Sequence, residues 1–285
     1  MPSMIDDHSV VLAQRKQRNA CHVCAMKRLW RRLGMASSLA FSLMATTASS
    51  FAAVPKDGLV ARYDFSGSAR DLSGQGHHGT VHHARLTRDR FGRPRQAYFF
   101  NGSDAYVEVP DHDVFSLATT GQLSISVWMR PDTLEFISKE GTGYVHWLGK
   151  GEVGQHEWVF RMYSRNNTER RGNRTSFYLF NLAGGEGAGS FVQEQVTSGR
   201  WYHYVGVANR NTDTITWYKN GKQQDQDPFM NSQYHINPKN GTAPVRIGTR
   251  DFKSYFRGAI DDIRIYDRPL SAAEVMQLYH EMRRP

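Results

Sequence analysis

The sequence predicts an all-β protein: two antiparallel sheets packed as a sandwich or jelly roll, with a short C-terminal helix. Three observations carry this. After Leu59 the chain is a series of short runs rich in Val, Ile, Tyr, Phe and Trp, each bounded by turn residues. Several runs alternate apolar and polar residues with period two, as Leu123, Ile125 and Val127 do against Ser124 and Ser126. No long internal stretch carries helical periodicity, so the strands must bury their apolar faces against other strands.

Taken in order, the runs are "LVARYDF" from Leu59, "AYFF" from Ala97, "AYVEV" from Ala105 and "LSISVWMR" from Leu123. They continue with "YVHWLG" from Tyr144, "EWVFRMY" from Glu157, "TSFYLFN" from Thr175, "YHYVGVA" from Tyr202 and "TITWYK" from Thr214. "VRIG" from Val245 and "AIDDIRIY" from Ala259 complete the series. Asn101-Gly102 and Asn220-Gly221 each separate two runs, and Asn-Gly favours type I′ hairpin turns. The closing helix is marked by Ser271 with Glu274 three residues on, a capping box, followed by Val275, Leu278, Tyr279 and Met282 at helical spacing. Two loops stand out: the basic "SRNNTERRGNRT" from Ser164 and the glycine-rich "AGGEGAG" from Ala183. The second lacks the following Lys-Ser/Thr and helix of a phosphate-binding loop, so both read as solvated hairpin ends.

The first 52 residues differ from the rest. "MKRLWRRLG" (Met26 to Gly34) is short and basic, and "MASSLAFSLMATTASSFAA" (Met35 to Ala53) is apolar and rich in small residues. This is the pattern of a secretory signal peptide with cleavage after Ala52. Residues 1–52 are therefore expected to be a leader, with Met26 as the true start or else an unusually long n-region before it, and residues 55–284 one β domain, secreted or periplasmic, with no membrane span in the mature chain. Cys21 and Cys24 lie in the leader, which would leave the mature protein without cysteine. The leader's seven basic and two acidic residues account for more than half of the +9 formal charge, which argues against nucleic acid as a partner.

From Leu59 to Tyr279 the chain resembles LamG-like jelly-roll domains of the concanavalin A-like lectin/glucanase superfamily. "LVARYDFSGSARDLSGQGHHGT", "AYFFNGSDAYVEVP", "LSISVWMRP", "RWYHYVGVAN", "WYKNGK" and "GAIDDIRIYDRPLSAAEVMQLY" follow in that family's order. The resemblance implies extracellular binding of glycans or protein partners, frequently with bound calcium, and a last strand that returns beside the first. On this reading the loop of Asp71, Ser73, Gly74 and Gln75 turns oxygens inward, and the carboxylate of the last strand joins it. Asp71, Gln75 and Asp261 are the calcium candidates. Asp261 is preferred over Asp262 because strand alternation gives it the phase of Ile263 and Ile265. The alternative is that Asp261 caps loop amides or pairs with an arginine. His77, His78, His82 and His83 lack zinc-ligand spacing.

Glucanases share the fold, but the laminarinase-type Glu-x-Asp-x-x-Glu signature is absent, and Asp111, Asp113, Asp225 and Asp227 lie outside the strand-like runs. A non-catalytic carbohydrate-binding module is therefore expected. The alternatives are a glycan hydrolase and a protein-binding or structural module. Sugar recognition needs aromatic platforms with polar groups beside them. Trp128 and Trp201 read as packing, whereas Trp147, Trp158, Tyr163 and Tyr178 flank the basic loop and are the ligand candidates, joined by Arg161, which with the Arg170-Arg171 pair would favour acidic glycans or phosphate-bearing cell-surface polymers.

Overall fold

The computed structural model describes residues 54–139 and 143–281. The leader reading, with Met26, Cys21 and Cys24, lies outside these residues, as does Met282. In chain order the strands begin with β1 (Leu59–Tyr63), β2 (Thr80–His82), β3 (Arg85–Thr87), β4 (Ala97–Asn101) and β5 (Tyr106–Val109). Next come β6 (Gln122–Pro131), β7 (Tyr144–Lys150), β8 (Trp158–Tyr163), β9 (Thr175–Leu179) and β10 (Ala188–Phe191). The last are β11 (Tyr202–Asn209), β12 (Thr214–Lys219), β13 (Lys222–Asp227), β14 (Val245–Ile247) and β15 (Arg257–Tyr266). Among the described residues the α-helices α1 (Leu117–Thr120) and α2 (Ala272–Glu281) accompany them.

The strands form two antiparallel sheets. One has eight strands in the order β13-β12-β11-β6-β15-β4-β3, with β1 also paired to β15. The other has seven, β10-β9-β8-β7-β14-β5-β2. The first strand does lie beside the last, with Tyr63 opposite Ile263. The core between the sheets is aromatic at its centre. Tyr204 stacks on Trp217 with centroids 5.0 Å apart, and Phe160 meets the same indole edge-on at 4.5 Å. Trp147 packs on Phe160 at 5.4 Å, and the Trp158 indole donates to the Phe115 carbonyl at 2.9 Å. An indole N–H satisfied inside a core lets the whole ring be buried without an orphan donor.

A second, smaller apolar layer covers the outer face of the eight-stranded sheet. Val275 and Leu278 of α2 pack there on Val205, Val207, Tyr218 and Tyr266. The capping box forms as read: the Ser271 amide donates to Glu274 Oε2 at 2.8 Å, and the Glu274 amide donates to Ser271 Oγ at 3.3 Å. Hydrogen bonds from Arg268 chiefly, against partial burial, lower the Glu274 carboxyl to about 2.

The two Asn-Gly pairs part company. Asn220-Gly221 is a two-residue β12–β13 turn with φ of 52° and 80°, the type I′ geometry. Asn101-Gly102 instead carries the chain from one sheet to the other, because β4 and β5 belong to different sheets. There Asn101 Oδ1 accepts the amides of Ser103, Asp104 and Ala105, so its side chain organises a crossover.

Candidate functional site

The two aspartates of β15 sit at a β-bulge. Asp261 pairs with Trp128 and Arg264 with Ser126, so β15 has one residue more than β6 between them. Asp262 takes φ of 47°, a left-handed conformation that aspartate tolerates better than a β-branched residue. The extra residue resets the alternation: Ile260, Ile263 and Ile265 all enter the core, and Asp261 turns outward beside Trp128. This corrects the expectation that Asp261 shares the inward phase of Ile263, which holds only for an unbroken strand.

On that outer face Asp261 meets Arg90, from the β3–β4 loop, at 2.6 Å, and Asp262 lies 3.5 Å from the same guanidinium. The Arg90 guanidinium also stacks on Trp128 at 4.7 Å and Phe91 at 4.6 Å. Asp262 contacts Arg264, which reaches Glu281 of α2 at 3.0 Å. Burial and the adjacent Asp262 charge push the Asp261 carboxyl above its usual range, against the pull of Arg90. The carboxylates thus tie a loop, the central strand and the last helix together.

Asp71 is used elsewhere. Its Oδ1 accepts the amides of Arg62 at 2.9 Å and Ser73 at 2.8 Å, and its Oδ2 accepts Ser73 Oγ at 2.8 Å and the His77 amide at 3.0 Å. Burial opposes ionisation, yet these donors hold the carboxyl below its ordinary value. The Arg62 amide and carbonyl both face the Asp71–Leu72 segment, on the edge of β1 away from β15. Strand β1 therefore lies between Asp71 and Asp261. Gln75 is exposed, and its amide donates to Ser73 Oγ. Asp71, Gln75 and Asp261 do not make a calcium donor set as placed. Asp71 spends its lone pairs on four donors, and a guanidinium already neutralises Asp261.

The ligand candidates divide by strand phase. Trp147, Trp158 and Tyr163 have no exposed surface, and the two tryptophans belong to the core between the sheets. No ligand reaches either ring, so direct stacking by Trp147 and Trp158 is corrected to a packing role. Arg161 points the other way, onto the outer face of the seven-stranded sheet. Its guanidinium lies 4.2 Å from the Tyr144 ring and 4.5 Å from that of Tyr178, and its Nε donates to His146 Nε2 at 3.2 Å. Tyr163 lies behind them, within reach of the Ser176 hydroxyl. From the basic loop Arg171 donates to the Tyr178 hydroxyl at 2.6 Å and the Tyr163 hydroxyl at 3.2 Å. The loop read as a solvated hairpin end is therefore a brace for this face.

The glycine-rich loop serves the same face. Gly189 lies opposite Tyr178, and a Cβ there would meet the ring at 2.5 Å, so only glycine lets the ring lie across the strand. Gly184 and Gly185 help line a cleft of about 180 Å³ together with Tyr144, Arg161, Phe180 and Arg250. His146 stays neutral: burial first, then the Arg250 charge, lowers it to about 3. Sequence reading missed Tyr144, His146, Phe180 and Arg250, although period two places Tyr144 with His146 and Tyr178 with Phe180.

The carboxylates are mostly engaged. Asp111 and Glu157 both contact the fully buried Lys150 amine, at 2.8 and 2.5 Å. Glu108 and Glu152 share Arg246. Asp225 and Asp227 do lie on a strand, contrary to expectation, because β13 is a polar edge strand with no apolar signal. Burial first, then the Asp225 charge, raises Asp227 to about 6.

Comparison with known proteins gives the same architecture. Domain 4 of AbnA, a GH43 extracellular arabinanase from Geobacillus stearothermophilus solved with arabinotriose, superposes with a TM-score of 0.58 at 19% identity over 78% of this chain and 98% of that one. The binding domain of Paraclostridial Mosquitocidal Protein 1 gives 0.60 at 18% identity, over 80% of this chain and 53% of that one. The binding domain of Botulinum Neurotoxin DC in complex with SialylT gives 0.56 at 15% identity, over 80% and 52%. The chain thus spans about half the length of the toxin domains it matches. No curated protein matches it. The Laminin_G_3 family model matches residues 101–276, and by that match the chain belongs to the concanavalin A-like lectin/glucanases superfamily.

Proposed function

We propose that the protein is an exported, non-catalytic carbohydrate-binding module that docks a glycan on the outer face of its seven-stranded sheet. One observation carries the reading: Tyr144 and Tyr178, both partly exposed, flank the Arg161 guanidinium at 4.2 and 4.5 Å, and Tyr144 and Arg161 line an open cleft. Aromatic faces suit sugar C–H surfaces, while a fixed guanidinium and nearby histidine supply polar contacts. The arabinanase domain was solved with arabinotriose and the neurotoxin domain with SialylT, which supports glycans as the ligand class. No helix among the described residues is long and apolar enough to cross a membrane, and the signal pattern supports export. Residues 55–284 form the proposed binding domain.

A glycan array probed with wild-type protein and with Tyr144→Ala and Tyr178→Ala tests this. The expected result is saccharide binding that falls at least tenfold in both variants. Saccharide cleavage abolished by a carboxylate substitution, or binding untouched by either change, would overturn it. N-terminal sequencing of the exported protein is expected to begin near Ala53, and a product retaining Cys21 would refute export with cleavage.

A further inference from the structure

The cleft beside Tyr144 is unusual in its charge. Arg161 is 8% exposed and makes no ion pair with a carboxylate among the described residues; its Nε bonds a neutral histidine instead. Arg250 is 2% exposed, and only one of its nitrogens finds an acceptor, Nη2 on Asp251 at 2.6 Å. Its Nε and Nη1 are buried without a protein partner. Buried donors are almost always satisfied, and a buried guanidinium ordinarily sits against a carboxylate. Lys253 and His156 also line the cleft, and its described lining includes no carboxylate. Asp251 is the nearby counter-charge, held to Arg250 and 3.9 Å from His146 Nδ1.

We infer that this cleft receives an oxyanion carried on a sugar ring, a carboxylate or a sulfate, which Arg250 and Arg161 bind while Tyr144, which lines the cleft, holds the ring. The inference rests on the glycan-binding reading and adds the charge class of the ligand. Guanidinium groups bind planar or tetrahedral oxyanions through charge-assisted hydrogen bonds that a neutral hydroxyl does not match. The cleft volume of about 180 Å³ suits one substituent and part of one ring.

The test is calorimetric titration with methyl glycosides of glucuronate, galacturonate and N-acetylneuraminate and with a 6-sulfated galactoside. Each is run beside its methyl ester or unsulfated counterpart, and inorganic sulfate is a control. At least one charged probe is expected to bind at least tenfold more tightly than its uncharged counterpart. That preference is expected to shrink as salt rises from 50 to 500 mM and to vanish in Arg250→Met. The carboxylate and sulfate arms distinguish the two sources. Arg250→Lys, which keeps the charge, is expected to retain part of the preference, and the salt series on wild type needs no variant to fold. Equal binding of charged and uncharged saccharides, or a preference unchanged in a folded Arg250→Met, overturns the inference while leaving glycan binding intact. Sulfate binding without any charged saccharide also overturns it. Absence of all saccharide binding overturns the glycan reading itself.

Discussion

Replacing Arg90 by methionine removes the single cation that faces both aspartates of the bulge. The side chains of Arg90, Asp261 and Asp262 are 8%, 4% and 10% exposed, so water screens their charges little. Methionine keeps apolar volume against Trp128 and Phe91, so cavity formation is a minor part of the cost. What remains is Asp261 buried without its cation, while Asp262 keeps Arg264 at 3.3 Å; breaking a buried ion pair from one side costs about 3–5 kcal/mol. That is a large share of the ~5–15 kcal/mol that holds a typical domain together. Urea unfolding followed by tryptophan fluorescence at pH 7 measures it, with an unchanged slope expected. The pH dependence has a definite sign. Asp261 already lies above its ordinary value through burial and Asp262, and loss of Arg90 raises it further. The folded variant then binds protons more readily than the unfolded chain, so its deficit shrinks as pH falls from 7 towards ~4. Adding Asp261→Asn to the variant is expected to recover more than half of the loss. A loss below about 1 kcal/mol at pH 7, or its full rescue by calcium, would refute the ion-network account.

Further outcomes follow from other parts of the structure. Calcium and chelator at fixed ionic strength are expected to leave the thermal midpoint unchanged, since Asp71 is filled by protein donors; a rise of several degrees with calcium would place an ion there. Gly189→Val is expected to displace the Tyr178 ring and weaken saccharide binding at least tenfold, with unaltered affinity showing that the ring is not part of the site. Asp227, raised to about 6 by burial and Asp225, contributes stability that is full below ~4 and lost as pH rises through 6. Asp227→Asn should therefore remove that segment of the pH–midpoint curve, and an identical curve would show that Asp227 is not raised in the folded protein.

The sheets were legible because long, half-buried strands advertise themselves. β6 and β15 bury alternating aliphatics, and each apolar run found in the sequence corresponds to a strand. The strands that escaped notice, β2, β3, β10 and β13, are short, glycine-bearing or polar edge strands whose pairing is set by neighbours. The site was half legible. Arg161 and Tyr178 share the outer face, but Trp158 precedes Arg161 by three residues, and strand alternation sends positions an odd number apart to opposite faces. Applied strictly, the same rule would have removed Trp158 and admitted Tyr144 and Phe180. Two features lay beyond pattern reading. A bulge at Asp261–Asp262 inverts the phase of its own strand, and Arg90 and Arg250 reach their partners from loops whose courses depend on the assembled sheets.

The most direct test of the glycan-binding face is a crystal structure of the protein with a saccharide selected from the array. The bound sugar is expected to lie against Tyr144 and Tyr178, with an oxygen within hydrogen-bond distance of Arg161 or Arg250. A sugar seated instead in the larger pocket of His83, Arg85, Phe99 and Asp104, or at the rim near Asp71, would contradict the account.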